Sequence, residues 1–134
     1  MNNNFKQFTL TIGGREVIVE TGKYAEQTNG SCVIRCGETA VMVSVCMSAA
    51  PRDGMDFFPL QVDYEEKMYS IGKIPGGFKK REGRASDKAI LTARLIDRPL
   101  RPLFPKGLFN DVVVTAQALS VEPDVSPEPL AMIG

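Results

Sequence analysis

A two-residue glycine turn constrains the start of this chain more than any other feature. Residues 5–20, FKQFTLTIGGREVIVE, alternate between apolar and polar side chains on both sides of Gly13 and Gly14. Alternation with a period of two predicts β-strands, because successive side chains of a strand point to opposite faces. Two strands joined by two glycines predict a tight β-hairpin.

A second hairpin is predicted between Cys32 and Ser48. The segment CVIRC is followed by Gly37 and Glu38 and then by TAVMVSVCMS. The nearly continuous apolar and β-branched content of the second arm is typical of a central strand that is buried on both faces.

A further strand is predicted within residues 57–70, FFPLQVDYEEKMYS, which alternate again. Its two faces would carry different side chains, with Asp63, Glu65 and Lys67 on one and Val62, Tyr64 and Glu66 on the other. The acidic residues are the nearest candidates for metal ligands, but a solvated strand edge explains them better, so no metal site is assigned.

A helix is predicted to begin after Ser86, which is a good N-cap residue, and to run through DKAILTARLID. Pro99 should end it, because a proline disfavours the helical conformation at the residue before it, here Arg98. The segment 111–122, DVVVTAQALSVE, then predicts one more strand.

The tail begins a second helix that the sequence does not complete. Ser126 is a plausible N-cap, Pro127 suits the first helical position, and the apolar residues that follow stop at Gly134. The chain is therefore expected to be cut inside a helix. Antiparallel strands followed by a helix, a strand and a helix predict an α+β domain, with helices packed on one face of a mostly antiparallel sheet.

Basic charge is concentrated in residues 71–106. This stretch holds ten Lys or Arg against three acidic residues, whereas the remaining 98 residues hold six bases and thirteen acids. The net charge of the chain is zero, but its basic residues are concentrated in one stretch. This separation of charge indicates that one element of the protein binds an anionic partner.

The first half of the basic stretch predicts a loop, because it contains Pro75, Gly76, Gly77 and Gly83. One aromatic side chain, Phe78, precedes three cations, Lys79, Lys80 and Arg81. An aromatic ring flanked by cations suits single-stranded nucleic acid, since a base stacks on the ring while the cations hold phosphates. A solvated surface loop remains an equally good interpretation of the residues alone.

The predicted helix places Arg94 and Arg98 one turn apart on one face, between Ile90 and Leu91. Two arginines inside an apolar border need an anion. This anion is either an internal carboxylate, such as Asp97 or an acidic strand residue, or a phosphate held in bidentate geometry.

Composition excludes several classes of protein. The chain has no histidine, which removes the commonest general base, and its three cysteines are too few for a zinc site without histidine. No signal peptide and no apolar run of spanning length is visible. The sequence therefore predicts a cytoplasmic protein that does not enter a membrane.

One long ordered signature resembles a known family. GKIPGGFKKREGRASDKAILTARLIDRPLRPLFP, preceded by FFPLQVDYEEKMYSIG and followed by the valine-rich strand and LAMIG, resembles the first ribonuclease PH-like core domain of the bacterial polynucleotide phosphorylases. The resemblance implies a ribonuclease PH-like fold of the ribosomal protein S5 domain 2-like class. It also implies that residues 1–134 are incomplete at their C-terminal end, without the family's second core domain and its KH and OB-type RNA-binding domains.

The resemblance further implies an activity for the parent protein. Family members are phosphorolytic 3′-to-5′ exoribonucleases that degrade mRNA with inorganic phosphate and release nucleoside diphosphates, and in reverse they polymerise RNA from nucleoside diphosphates. They use Mg²⁺, whose ligands are expected outside this chain. They form homotrimers and join RNA-degradation complexes with other ribonucleases or helicases.

The family's RNA-contacting residues carry over by position, and no catalytic residue is assigned here. Phe78, Lys80 and Arg81, together with Lys79, match a loop that narrows the central channel, although some members have two aromatics and two arginines there. The basic residues that match the RNA path are Arg84, Arg94, Arg98 and Arg101. The alternative is that the isolated chain is a non-catalytic RNA-binding or trimer-building module.

Overall fold

The computed structural model describes residues 4–76 and 84–134, which form a six-stranded sheet and two α-helices. The elements are β1 (Lys6–Ile12), β2 (Arg15–Thr21), β3 (Gly30–Cys36), β4 (Thr39–Met47), β5 (Leu60–Glu66), α1 (Asp87–Leu100), β6 (Val112–Ser120) and α2 (Pro127–Ile133).

Both predicted hairpins are confirmed. Strands β1 and β2 pair antiparallel with Ile12 opposite Arg15, and β3 and β4 pair antiparallel with Cys36 opposite Thr39. Gly13 and Gly14 both have positive φ, 58° and 78°. A two-residue turn of this kind matches the twist of the flanking strands, and glycine adopts it without the strain that a Cβ would bring.

The sheet order is β1-β2-β3-β4-β6-β5, and one pair of strands is parallel. The exception to the antiparallel pairing is β5, which pairs only with β6, and in parallel, within the residues that the structure describes. Helix α1 connects the two strands, which parallel neighbours require because their connection must return to the same end of the sheet. The sheet is still mostly antiparallel, as predicted.

Both helices pack on the same face of the sheet. Val43, Ala116 and Tyr64 lie opposite one another on β4, β6 and β5, so they share a face. Helix α1 packs on β5, and α2 packs on β3, β4 and β6. The core lies between this face and the helices, and its fully buried members include Ile34, Val41, Ile96 and Ala116.

Strand β4 is central, and its first half is buried on both faces as predicted. The neighbouring residues Ala40 and Val41, which point to opposite faces, are both buried, whereas Met47 at the far end is exposed. Thr39 starts the strand and is buried, and its hydroxyl donates to the carbonyl oxygen of Val125 at 3.0 Å. This bond joins β4 to the turn before α2 and satisfies a buried polar group.

Helix α1 begins as predicted and ends later than predicted. The Ser86 hydroxyl accepts a hydrogen bond from the backbone N–H of Ala89 at 3.1 Å, which confirms the N-cap. The helix continues through Pro99 to Leu100, so the prediction that it stops at Arg98 is wrong. Proline in the last turn removes one backbone bond, and the N–H of Arg101 still bonds to the carbonyl oxygen of Asp97.

Helix α2 starts at Pro127 after Ser126, as the sequence predicts. No helix in residues 4–76 or 84–134 has both the length and the apolar content that crossing a membrane requires.

Candidate nucleic-acid interface

Helix α1 presents one face to the sheet and the opposite face to solvent. Ala89, Thr92 and Ile96 are buried, and they recur at the spacing of one helical face. The side chains of Leu91 and Leu95 are 67% and 52% exposed. The outer face of α1 is therefore a mixed surface of leucines and arginines that no described element covers.

Arg94 and Arg98 lie on this outer part of α1. Both are exposed, and neither makes an ion pair or a hydrogen bond with any residue in 4–76 or 84–134. Ile90 and Leu91, the apolar residues predicted to border the pair, are themselves exposed, so they do not shield the two arginines from solvent. Two free guanidinium groups one turn apart can bind successive phosphates or one phosphate bidentately.

Arg84 stands just before α1 and is also exposed. Among the described residues it has no ion-pair partner. Three unpaired arginines, Arg84, Arg94 and Arg98, therefore accompany one helix, which agrees with the concentration of basic charge in the sequence.

Arg101 differs from these three arginines because its guanidinium group is already bound internally. It contacts both carboxylate oxygens of Asp97, at 2.9 and 3.2 Å. It also donates to the carbonyl oxygens of Phe58 and Leu60 at 3.2 and 3.3 Å and lies 5.9 Å from the centre of the Phe58 ring. Asp97 thus pairs with Arg101 and not with Arg94 or Arg98, so the internal carboxylate considered for that pair is occupied.

The predicted stacking loop, Phe78, Lys79, Lys80 and Arg81, lies outside the described residues. Its assignment to RNA stays a prediction, and so does the assignment of Arg84, Arg94, Arg98 and Arg101.

A charged cluster beside the start of α1 was not predicted from the sequence. The ammonium group of Lys88 lies 3.1 Å from the Glu128 carboxylate and 3.5 Å from the Glu66 carboxylate. It therefore joins the first turns of both helices to the end of β5. The sequence places Lys88 and Glu128 in the first turns of the two predicted helices. It does not show that these two turns lie side by side, so the ion pair could not be predicted from it.

The cluster shifts the pKa values of Lys88 and Glu128, and the pKa of Tyr64 beside it is shifted as well. The hydrogen bond to Glu128 raises the pKa of Lys88. Burial acts to raise the pKa of Glu128, but hydrogen bonds from its own backbone N–H and from Lys88 outweigh burial and lower it. Tyr64 is only 3% exposed, and burial followed by the nearby Glu66 and Glu128 carboxylates raises the pKa of its hydroxyl.

The acidic residues of β5 do not fit a metal ion. Asp63 accepts a hydrogen bond from the Gln61 amide at 2.8 Å, and Glu65 pairs with Lys67 at 2.9 Å. Glu66 is held by Lys88. Each candidate ligand is thus bonded to a neighbouring side chain through one oxygen, and no three His, Cys, Asp or Glu side chains of the described residues form a metal-binding group.

Residues 13–134 match the family model of the 3′ exoribonuclease family, domain 1, and the chain belongs to this family. It is similar to the polyribonucleotide nucleotidyltransferases of Ruminiclostridium cellulolyticum, with 63% identity over 97% of this chain, and of Clostridioides difficile, with 62% identity over 96%. The chain spans only 18% of the length of each of these relatives.

Two solved structures show the same fold at low sequence identity. The Archaeoglobus fulgidus exosome with RNA bound to the active site matches with a TM-score of 0.60 and 21% identity, over 79% of this chain and 44% of that chain. Rice Rrp46 matches with a TM-score of 0.55 and 15% identity, over 96% of this chain and 50% of that chain. The predicted α+β, ribonuclease PH-like fold is confirmed.

Proposed function

We propose that this chain is the RNA-guiding first core domain of a longer phosphorolytic 3′-to-5′ exoribonuclease. In the reaction, inorganic phosphate attacks the 3′-terminal phosphodiester of RNA, the bond to the preceding 3′ oxygen breaks, and a nucleoside diphosphate leaves. Run in reverse, nucleoside diphosphates are polymerised into RNA. The observation that carries the proposal is the pair of exposed, unpaired arginines one turn apart on α1, in a chain 63% identical to a polyribonucleotide nucleotidyltransferase.

The role of α1 in this proposal is to hold the phosphate backbone and not to perform chemistry. Arg94 and Arg98 neutralise neighbouring phosphates, and Arg84 extends the basic surface toward the loop that contains Phe78, Lys79, Lys80 and Arg81. In that loop the ring stacks on a base while the cations hold the strand. Phosphoryl transfer depends mainly on placement and charge stabilisation, so a domain that delivers the 3′ end in register contributes directly to the rate.

Arg101 has a different part in the same surface. Its bonds to Asp97 and to the strand carbonyls leave it little hydrogen-bonding capacity for a phosphate. Arg101 therefore contributes to RNA binding through its positive charge and by fixing the position of the last turn of α1.

The parent protein is proposed to contain a second core domain and KH and OB-type domains, and to work as a cytoplasmic homotrimer within an RNA-degradation complex that includes other ribonucleases or helicases. Mg²⁺ would support the reaction from ligands outside this chain, as the resemblance to the family implies.

A second candidate function rests on the leucines of α1. Leu91 and Leu95 are largely exposed beside the arginines, and an exposed apolar strip of this kind marks a contact surface. In isolation, the chain would then serve as a non-catalytic RNA-binding or trimer-building module.

The first test is phosphate-dependent release of nucleoside diphosphates from poly(A), measured on this chain and on the full-length protein. Activity in the full-length protein alone supports an RNA-guiding role for these residues. Activity in neither would contradict the proposed function, and Arg94 and Arg98 would need another explanation.

The second test measures how poly(A) affinity depends on salt in the full-length protein. Changing both Arg94→Ala and Arg98→Ala removes two phosphate contacts, and each contact to single-stranded RNA contributes about 0.7 to the log–log slope. The slope should therefore flatten by about 1.4. The matched control changes Arg15→Ala and Arg52→Ala, which removes the same charge from β2 and from the loop after β4, and it should leave the slope unchanged. Equal slopes for the two variants would exclude α1 as the phosphate contact.

A further inference from the structure

Strand β5 ends the sheet and has an unpaired side. It is the last strand in the order β1-β2-β3-β4-β6-β5, and it pairs with β6 alone. No other strand within residues 4–76 and 84–134 lies against its outer edge. An edge of this kind offers a row of backbone donors and acceptors to another chain unless something covers it.

The register shows which backbone groups of β5 point outward. The N–H of Val112 donates to the carbonyl oxygen of Pro59, so Pro59 and every second residue after it face β6. The intervening residues Phe58, Leu60, Val62 and Tyr64 then direct their backbone groups away from the sheet.

Arg101 covers the first part of this outer edge. It donates to the carbonyl oxygens of Phe58 and Leu60, and the N–H of Leu60 is bonded to the carbonyl oxygen of Phe58. The outward backbone groups of Val62 and Tyr64 have no hydrogen-bond partner in the described part of the chain. The edge is therefore closed at its start and, as far as residues 4–76 and 84–134 are concerned, open in its second half.

A groove of about 530 Å³ runs along the open half, between β5 and α1. Its wall on the helix side includes Ala85, Ala89 and Ala93, whose short side chains leave room for a backbone beside the strand. Ile90, Arg94 and Asp97 also belong to this wall, and the Asp97 carboxylate is paired with Arg101. The groove therefore joins an unpaired strand edge to a low, partly apolar helix surface.

The two faces of an added strand would meet different charges. Side chains that point toward α1 would meet Ile90 and the unpaired guanidinium group of Arg94. Side chains that point the other way would meet Asp63 and Glu65, which also line the groove and are exposed. One oxygen of each carboxylate is bonded to Gln61 or Lys67, and the other has no partner among the described residues. Those carboxylates repel phosphates, and RNA has no alternating N–H and C=O groups to match the edge, so a peptide fits this edge better than RNA.

We propose that the open edge of β5 binds an extended peptide segment of a partner protein as a seventh strand. Its backbone pairs with Val62 and Tyr64. On the α1 side it carries apolar residues and one carboxylate facing Arg94, and on the other side it carries Lys or Arg facing Asp63 and Glu65. Backbone pairing supplies the affinity, and the alternating side chains supply the specificity.

The probe is a fluorescein-labelled peptide of alternating Val and Lys with one Val replaced by Glu, titrated onto the full-length protein and followed by anisotropy. The control peptide has the same side chains, but its backbone is N-methylated at alternate residues, so it cannot donate to the edge. The unmethylated peptide should bind at least about tenfold more tightly, since several backbone bonds are lost together in the control.

A pair of protein variants separates backbone pairing from side-chain contact. Val62→Pro removes the outward N–H, at a position where an edge strand tolerates proline, while Val62→Ala removes the side chain and keeps the N–H. The peptide affinity should fall about tenfold for Val62→Pro and much less for Val62→Ala.

Three results would overturn the proposal: equal binding of the two peptides, equal losses in the two variants, or no binding of the unmethylated peptide. The proposed peptide site shares Arg94 with the proposed RNA path, so poly(A) should compete with the peptide for that one contact. Displacement by poly(A) of a peptide whose Glu is restored to Val would overturn the proposal, because that peptide makes no charged contact with Arg94 and the groove would then belong to the path of the RNA.

Discussion

The structural role of Arg101 makes a quantitative prediction. Replacing Arg101→Ala removes the two-point contact with Asp97 and the bonds to the Phe58 and Leu60 carbonyls, and with them the link between the end of α1 and the start of β5. Because the side chains of Arg101 and Asp97 are 45% and 29% exposed, solvent screens the ion pair. An exposed pair contributes up to about 1 kcal/mol, and the bonds to the carbonyls raise the expected loss of unfolding free energy to about 1 to 2 kcal/mol.

This loss of unfolding free energy corresponds to a decrease in melting temperature. The entropy of unfolding is about 2.1 cal/mol/K per residue, or about 0.28 kcal/mol/K for 134 residues. The variant should therefore melt about 4 to 7 °C below the wild type. Thermal unfolding followed by circular dichroism measures the difference directly.

Arg94→Ala is the matched control, because it removes an arginine from the same helix without an ion pair. Its unfolding free energy should change by less than about 0.5 kcal/mol. A double-mutant cycle with Asp97→Ala should show that the effects of Arg101→Ala and Asp97→Ala are not additive. If Arg101→Ala melts at the same temperature as Arg94→Ala, the contacts of Arg101 with Asp97 and the β5 carbonyls do not stabilise the domain.

Two further predictions concern the charged cluster and the basic loop. Glu128→Gln should destabilise the domain at neutral pH. Because the folded-state pKa of Glu128 is lowered, its stabilising effect is present above its ordinary value of 4.5 and disappears as the pH falls through the lowered value. Melting temperatures of the two proteins should thus converge in acid, and a constant gap would show that Lys88 is not the cause. In the full-length protein, Phe78→Ala with Lys80→Ala and Arg81→Ala should leave folding intact and flatten the salt dependence of poly(A) binding by about 1.4, and an unchanged slope would exclude the loop.

Local patterns in the sequence predicted the local structure well. The Gly13-Gly14 hairpin and the Ser86 N-cap follow from residues that are neighbours in the chain, so the sequence contains the whole signal. The parallel pairing of β5 with β6 depends on residues about fifty positions apart, and alternation on β5 alone does not distinguish a parallel partner from an antiparallel one.

One wrong boundary concealed the partner of Asp97. Asp97 and Arg101 have the i, i+4 spacing of a helical ion pair. With the helix ended at Arg98, Arg101 lay beyond the helical spacing and Asp97 was left as a candidate partner for Arg94 and Arg98, whereas the observed helix reaches Leu100 and Arg101 is its C-cap. Pro99 lies in the last turn, where the loss of one backbone hydrogen bond is tolerated, so α1 continues to Leu100. Asp97 then pairs with Arg101, and Arg94 and Arg98 are left without an ion-pair partner among the described residues.

The parallel pair also sets the order in which the sheet can form during synthesis. Strands β1 to β4 pair with their neighbours in sequence, so each can join the sheet as it leaves the ribosome. Tyr64 on β5 must wait for Ala116, 52 residues further on, because β6 fills the space between β4 and β5. At roughly 5 to 20 residues per second, that delay is about 3 to 10 s. During this interval a nascent chain exposes the edges of both β4 and β5, which is the condition under which strands of different chains pair with each other.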